Sequence, residues 1–307
     1  MFVIVLTAAN VVPDGNNNSF VYNFPNSVVL KDKFIAVSSV TMYYCWFNIL
    51  ASKQNNTFSY TWTNNAGVST TYQVVIPDGL YNISDINYYL QWTMINNGTY
   101  LINSSGDNVY YAELIVNPNR YAVQLNTFQV PTVLPTNWSL PSNYPAGGLP
   151  TQTFNPIITF PAIFNTIVGY TAGFASNGNV NNGYIPPTAS KSNNYVTKDG
   201  AGTLSYLSNI YPDVQPNSSI FLSISNLNNP YSQPSSIIYS ITPTVAIGEQ
   251  VIERPPNFMW NKMIDGTYNQ LRVQFLGIDK QPIPLADPNL TIILTIRDKD
   301  EAFLGTK

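Results

Sequence analysis

Two stretches near the end of the chain alternate apolar and polar residues strictly enough to decide its fold class. Leu271, Val273 and Phe275 fall on one face of an extended chain, with Arg272 and Gln274 on the other, which is the period of a half-buried β-strand. Leu290, Ile292, Leu294 and Ile296 repeat the pattern opposite Thr291, Thr295 and Arg297. Ile293 breaks it, so the outer face of this second strand is expected to be partly covered too. Between the two, Gly277 to Asn289 contains Pro282, Pro284 and Pro288, which cannot extend a ladder and so make a long irregular connection. Asp298, Lys299, Asp300 and Glu301 then end the strand at a solvated edge.

The rest of the chain is punctuated in the same way. Phe2 to Leu6, a turn region around Pro13-Asp14-Gly15, and Ser19 to Phe24 read as an N-terminal hairpin. Phe34 to Leu50 suits one long strand or two joined by a bend, and Thr57 to Trp62 and Thr71 to Ile76 follow as strands on either side of a turn at Gly67. The period then changes from two to about 3.6, with Ile86, Tyr89, Leu90 and Met94 on one face. This is the one predicted helix, with Ser84 as N-cap, Asp85 at the positive end of the helix dipole and Asn97-Gly98 as the stop. Tyr110 to Val116 and Tyr121 to Phe128 are strands joined through Asn117-Pro118-Asn119-Arg120.

Pro131, Pro135, Pro141, Pro145 and Pro150 break any regular element, and short apolar runs follow at Ile157 to Phe160 and Phe164 to Tyr170. Ala172 to Gly202 is mostly Asn, Gly, Ser, Thr and Pro, the composition of a long surface loop or an interface arm. Strand patterns resume at Ser219 to Ile224 and Ser236 to Val245. Many short strands, frequent turns and one helix indicate an all-β sandwich, and the long cross-connections are those a jelly roll requires. One jelly roll needs eight strands and more are predicted here, so an insertion accounts for the surplus. The expected organisation is a discontinuous jelly-roll β-sandwich from 1–55 and 191–307, with 56–190 forming a smaller, mainly β domain and loop that carries the helix.

Chemistry is sparse in this sequence. It contains no histidine and one cysteine, which removes Ser-His-Asp and Cys-His nucleophile systems, His-ligated zinc and thiolate zinc clusters. No phosphate-binding loop is present, and Gly173, Gly178 and Gly183 have neither dinucleotide spacing nor a helix pattern behind them. Asp265-Gly266-Thr267 holds the residues of an aspartic-protease motif in the wrong order and reads as a turn. Two-carboxylate glycoside chemistry would have to draw on Glu113, Glu249, Glu253 and Glu301. Glu113 falls on a predicted strand, and Glu249 and Glu253 flank a loop where each could pair with Arg254. Asp298 and Asp300 are read as solvent-facing rather than as calcium ligands. Cys45, within Tyr43-Tyr44-Cys45-Trp46-Phe47, is expected to be a buried inert thiol. The lack of a disulfide suits assembly in a reducing compartment.

The surface has to be built largely without charge. Charged residues make up 9% of the chain, while 44% is hydrophobic and 13% aromatic, against roughly a quarter charged in an ordinary soluble protein. Little repulsion between copies follows, which suits an assembly component; a secreted β-sandwich with a low-charge surface is the other reading composition allows. The net charge of -3 and the dispersed Lys and Arg argue against nucleic acid. Lys31 with Lys33, and Arg297 with Lys299, read as solvated strand faces. No apolar stretch approaches the ~20 residues that span a bilayer, and Met1 to Leu6 lacks the charged start of a targeting signal. Tyr43, Tyr44, Trp46, Phe47, Tyr88, Tyr89 and Trp92 could stack on sugar rings, or serve as core and subunit-interface residues.

Two patches carry a family resemblance. One is Asn257-Phe258-Met259-Trp260-Asn261-Lys262, then Asp265-Gly266-Thr267-Tyr268-Asn269, the Leu271 strand, and Asp287-Pro288-Asn289 through Arg297-Asp298-Lys299. The other is Ile76-Pro77-Asp78-Gly79-Leu80-Tyr81 through Tyr88-Tyr89-Leu90. Both resemble single jelly-roll penton or minor capsid proteins of virophages and polinton-like DNA viruses, and together they span about a fifth of the chain. The resemblance implies a non-enzymatic structural capsid protein, a penton subunit that forms homopentamers at the five-fold vertices of an icosahedral particle. It implies contact with itself and with neighbouring major capsid protein capsomers, residence in the virion after assembly in the host cytoplasm, and an inserted domain that projects outward, where a host receptor or glycan could bind. No catalytic, cofactor-binding or metal-ligating residue is assigned and no cofactor is expected. The alternative is a carbohydrate-binding or attachment β-sandwich.

Overall fold

A computed structural model describes residues 1–177, 203–214 and 217–299. In chain order its strands and helices are β1 (Phe2–Leu6), β2 (Ser19–Leu30), β3 (Lys33–Tyr43), β4 (Thr57–Thr63), β5 (Ser69–Val75), α1 (Ile83–Asn96), β6 (Leu101–Ile102), β7 (Asn108–Val109), β8 (Ala112–Asn117) and β9 (Ala122–Thr127). Then follow β10 (Ile157–Thr159), α2 (Ala162–Val168), β11 (Leu204–Leu207), β12 (Ile220–Ile224), β13 (Ile237–Ile241), β14 (Gln250–Glu253), β15 (Asn261–Lys262), β16 (Gly266–Leu276) and β17 (Thr291–Asp298). The chain divides into two compact units, Met1–Asn48 with Gln215–Lys307, and Ile49–Val214. The expected joints were 55/56 and 190/191. The contacts put the first after Asn48 because Ile49 pairs with Gly79 and belongs to the core of the second unit. They put the second after Val214 because Ile210 and Asp213 donate backbone hydrogen bonds to Gly169 and Thr166.

The discontinuous unit is a sandwich of two antiparallel sheets. One has the order β1-β17-β3-β14, with β15 also on β3, and the other β13-β12-β16-β2. Successive strands cross between the sheets, from β1 to β2, β2 to β3 and β3 to β12, and this order is that of a jelly roll. The strict alternation seen in the sequence explains why each strand sits where it does. Ile292, Leu294 and Ile296 of β17 are fully buried, as are Leu271, Val273 and Phe275 of β16. Ile4 and Leu6 of β1, Ile35 and Val40 of β3, and Leu222 of β12 complete the inner rows. Each such side chain contributes about 1.5–3 kcal/mol on leaving water.

The continuous unit packs three small sheets, β10-β4-β5, β11-β9-β8 and β6-β7, with α1 and α2 around one core that includes Phe58, Tyr60, Trp62, Leu90, Leu125 and Phe164. Helix α1 buries Ile83, Ile86, Leu90 and Met94, and the Asn87 side chain accepts the Leu114 amide at 2.8 Å to fix it on β8.

Several expectations need correction. β1 and β2 are not a hairpin: β1 pairs with β17 and β2 with β16, in different sheets. β2 runs on through Pro25 to Leu30, which its position at the edge of its sheet permits, since a missing N–H is harmless there. The strand from Phe34 stops at Tyr43, and irregular chain leads on to a 3-10 turn at Ala51–Lys53. There are two helices among the described residues, not one, because Phe164, Ile167 and Val168 form the buried face of α2. The N-cap of α1 is Asn82 rather than Ser84: Asn82 accepts the Asp85 amide at 3.0 Å and Asp85 accepts the Asn82 amide at 2.9 Å, a reciprocal pair that Ser84 cannot form. β14 occupies the place read as a loop between Glu249 and Glu253, and Gly266-Thr267 open β16 rather than close a turn. Of the Ala172 to Gly202 stretch, 178–202 lies outside the described residues, as do Asp300 and Glu301.

Candidate functional site

Of the four glutamates weighed for catalysis, Glu301 lies outside the described residues and the other three are engaged in structure. Glu113 is buried on β8 and its carboxylate accepts the Asn126 side-chain amide at 3.0 Å. That bond ends a chain of buried amides running from Asn117 through Gln124 to Asn126. Glu249 accepts the Ala246 amide at 3.0 Å and closes a turn. Glu253 meets the Tyr239 hydroxyl, whose pKa is raised by burial and by that carboxylate. Cys45 is half-buried and burial pushes its thiol up, so the thiolate is scarce near neutral pH. Asp298 forms an ion pair with Lys33. Arg297 lies 3.7 Å over the Trp260 ring, so neither Lys33 nor Arg297 belongs to a freely solvated face.

The aromatic candidates separate into two groups. Tyr44 and Trp46 are buried with ring centroids 4.4 Å apart, and the Trp46 indole donates to the Asn217 carbonyl at 2.8 Å. Tyr43 is exposed and Phe47 half-buried. Tyr88 and Trp92 instead lie on the outer side of α1, and with Val75, Pro77 and the half-buried Tyr89 they line an open, largely apolar cavity of about 460 Å³. Tyr88 and Trp92 are 65% and 56% exposed. They lie four residues apart and so share one side of the helix.

A second cavity, of about 410 Å³, was not foreseen from the sequence. It lies where the β8–β9 turn meets the segment after β11, and Arg120, Tyr121, Asn209 and Tyr211 are among its lining. Tyr121 holds a left-handed backbone, with φ 49°, a conformation that costs an ordinary side chain roughly 1–2 kcal/mol. The one signal available was a tyrosine following Asn117-Pro118-Asn119-Arg120, at a position where glycine or asparagine would be unstrained.

In the jelly-roll unit the first sheet is apolar at both edges. At the β1 edge Val3 and Val5 are 52% and 47% exposed. On the β14 and β15 side Ile252, Phe258 and Met259 are 53%, 51% and 62% exposed. The outward positions of an edge strand ordinarily carry charge, which discourages pairing with other chains. Here they do not.

Fold and surface together define a single jelly-roll β-sandwich with a second compact unit inserted between β3 and β12, and with apolar surface left uncovered on both units. No protein-family model matches the sequence, and no curated protein sequence matches it either. Among solved structures the chain is similar to the crystal structure of the mavirus penton protein, at 10% identity and a TM-score of 0.40, with 96% of each chain covered. It is also similar to a chain in the cryo-EM structure of the Sputnik virophage, at 12% identity and a TM-score of 0.35, covering 98% of this chain and 99% of that one.

Proposed function

We propose that this chain is a structural, non-catalytic capsid protein, a penton subunit whose five copies close a ring at each five-fold vertex of a virophage-like icosahedral particle. The observation that carries the reading is the pair of apolar patches at opposite edges of one sheet, Val3 and Val5 on β1 and Ile252, Phe258 and Met259 beside β14 and β15. A ring of identical copies needs a heterologous contact, in which one patch of each subunit meets a different patch of the next. Two patches on opposite sides of a rigid sandwich meet that requirement, whereas a two-fold dimer would need only one. With so few charges on the chain, apolar burial supplies the affinity, and the sparse ionic groups set orientation.

Neighbouring major capsid protein capsomers are the expected second partner, met through loops and termini. The single half-buried thiol suits assembly in the reducing host cytoplasm. Light scattering on a sizing column, with negative-stain images of the main peak, tests the reading. A mass near five chains with five-fold rings supports it. A monomer that stays monomeric at high concentration, and that does not bind purified capsomers, overturns it.

A further inference from the structure

We infer that the cavity between the β8–β9 turn and the segment after β11 binds a sugar ring that carries a carboxylate. This inference concerns the inserted unit alone and does not depend on the vertex reading. The rings of Tyr121 and Tyr211 stand 5.4 Å apart at 52° and are 68% and 73% exposed, so each presents an open face at the cavity mouth. Exposed phenol faces of this kind take up the flat C–H face of a pyranose, as aromatic rings do with other flat, weakly polar surfaces. Tyr121 holds its left-handed backbone although glycine there would be free of strain. Retained strain of this sort concentrates at ligand clamps.

Charge narrows the ligand class further. Among the described residues Arg120 lines the same cavity, forms no ion pair and is the one charged residue of the lining. A planar guanidinium lining the same cavity as two aromatic rings matches a carboxylate carried on a sugar ring. Ser208 accepts the Val123 amide through Oγ at 3.0 Å, which leaves its own hydrogen to donate, and the Asn209 side-chain amide supplies further donors for sugar hydroxyls. Inorganic phosphate would satisfy the arginine but leave both rings without a partner. A neutral sugar would satisfy the rings and leave the guanidinium unused.

Titration calorimetry and saturation-transfer NMR on the full chain, with glucuronic acid, N-acetylneuraminic acid and glucose as probes, test the assignment. The two acidic sugars are expected to bind at least about tenfold more tightly than glucose, the lower end of what one charge-assisted hydrogen bond contributes. Which of the two binds more tightly identifies the acid. Arg120→Gln is expected to erase that preference while weak stacking remains, and Tyr211→Ala to remove binding of all three. Tyr121→Gly separates ligand from fold: it should raise the melting temperature by relieving the backbone and weaken binding at the same time. Equal affinity for glucose and the acids, binding unchanged in Arg120→Gln and Tyr211→Ala, or no binding of either acid overturns the assignment.

Discussion

The hydroxyl of Tyr170 accepts a hydrogen bond from the Leu125 amide at 2.9 Å and donates to the Tyr206 carbonyl at 2.6 Å. Leu125 on β9 and Tyr206 on β11 are register partners. One phenol, placed just past the end of α2, thus ties the helix to a two-strand junction. Burial pushes its pKa far up, so it remains a neutral donor and acceptor at any ordinary pH.

Replacing Tyr170 with Phe keeps the ring, which packs 4.2 Å from that of Phe174, and strips the oxygen from two backbone groups with no access to water. The expected cost is about 1–3 kcal/mol. In a unit of this size that is a melting temperature lower by roughly 3–10 °C, read by differential scanning fluorimetry. An unchanged midpoint would mean that Leu125 and Tyr206 find other partners.

The end of α1 offers a sharper test. Gly98 has φ +68°, and a Cβ there would lie 2.1 Å from the Asn143 carbonyl oxygen. Asn143 in turn donates its side-chain amide to the last helix carbonyls, Ile95 at 2.9 Å and Asn96 at 3.2 Å. Gly98→Ala therefore both strains the backbone and pushes away the residue that caps the helix. We expect a loss of roughly 2–4 kcal/mol, larger than that of Asn143→Ala, which removes the cap alone. Urea unfolding of the two variants side by side checks the order.

Gly98 was legible as a helix stop because glycine after a 3.6-period run has one common meaning. The jelly-roll strands β16 and β17 were legible for a similar reason, since inner and outer faces differ at every second residue. α2 was not, because a seven-residue helix shows only Phe164, Ile167 and Val168 as a pattern, and three apolar residues fit a strand as well. The pairing of β1 with β17 joins the two ends of the chain and leaves no local trace, whereas a Pro-Asp-Gly turn beside β1 points, wrongly, to a hairpin. Site chemistry was least legible of all. Tyr88 and Trp92 share a helix face by spacing, but the cavity around Arg120 needs Tyr211, far along the chain, to come beside Tyr121.

Alkaline pH should weaken the inserted unit through its buried phenols. Burial pushes both Tyr60 and Tyr144 up to about 12, and the Tyr60 hydroxyl is held by Thr99 at 2.7 Å. An unfolded tyrosine titrates near 10, so between about 10 and 12 the folded state holds more protons than the unfolded one. The stabilisation is complete below about pH 10 and is lost as pH rises through 12. The denaturation midpoint should be flat from neutral pH to about 9.5 and fall beyond, with tyrosinate absorbance of these residues appearing only on unfolding. A midpoint that stays level well above pH 10 would show that these two phenols ionise without cost.

The ring contact makes a prediction that distinguishes it from any symmetric dimer. Val5→Lys places a charge on the β1 edge and Ile252→Lys one on the β14 edge, both at exposed positions where the monomer should fold normally. Burying either charge against an apolar neighbour should cost roughly 2–5 kcal/mol of association, enough to hold each variant as a monomer. Mixed together, the two variants still own one intact patch of each kind. They should therefore form a one-to-one dimer through β14 of the first and β1 of the second, and stop there, because each remaining edge carries a lysine. Light scattering on the mixture reads the result directly. Five-chain rings from either single variant, or two monomers that ignore each other when mixed, would show that these edges do not make the contact.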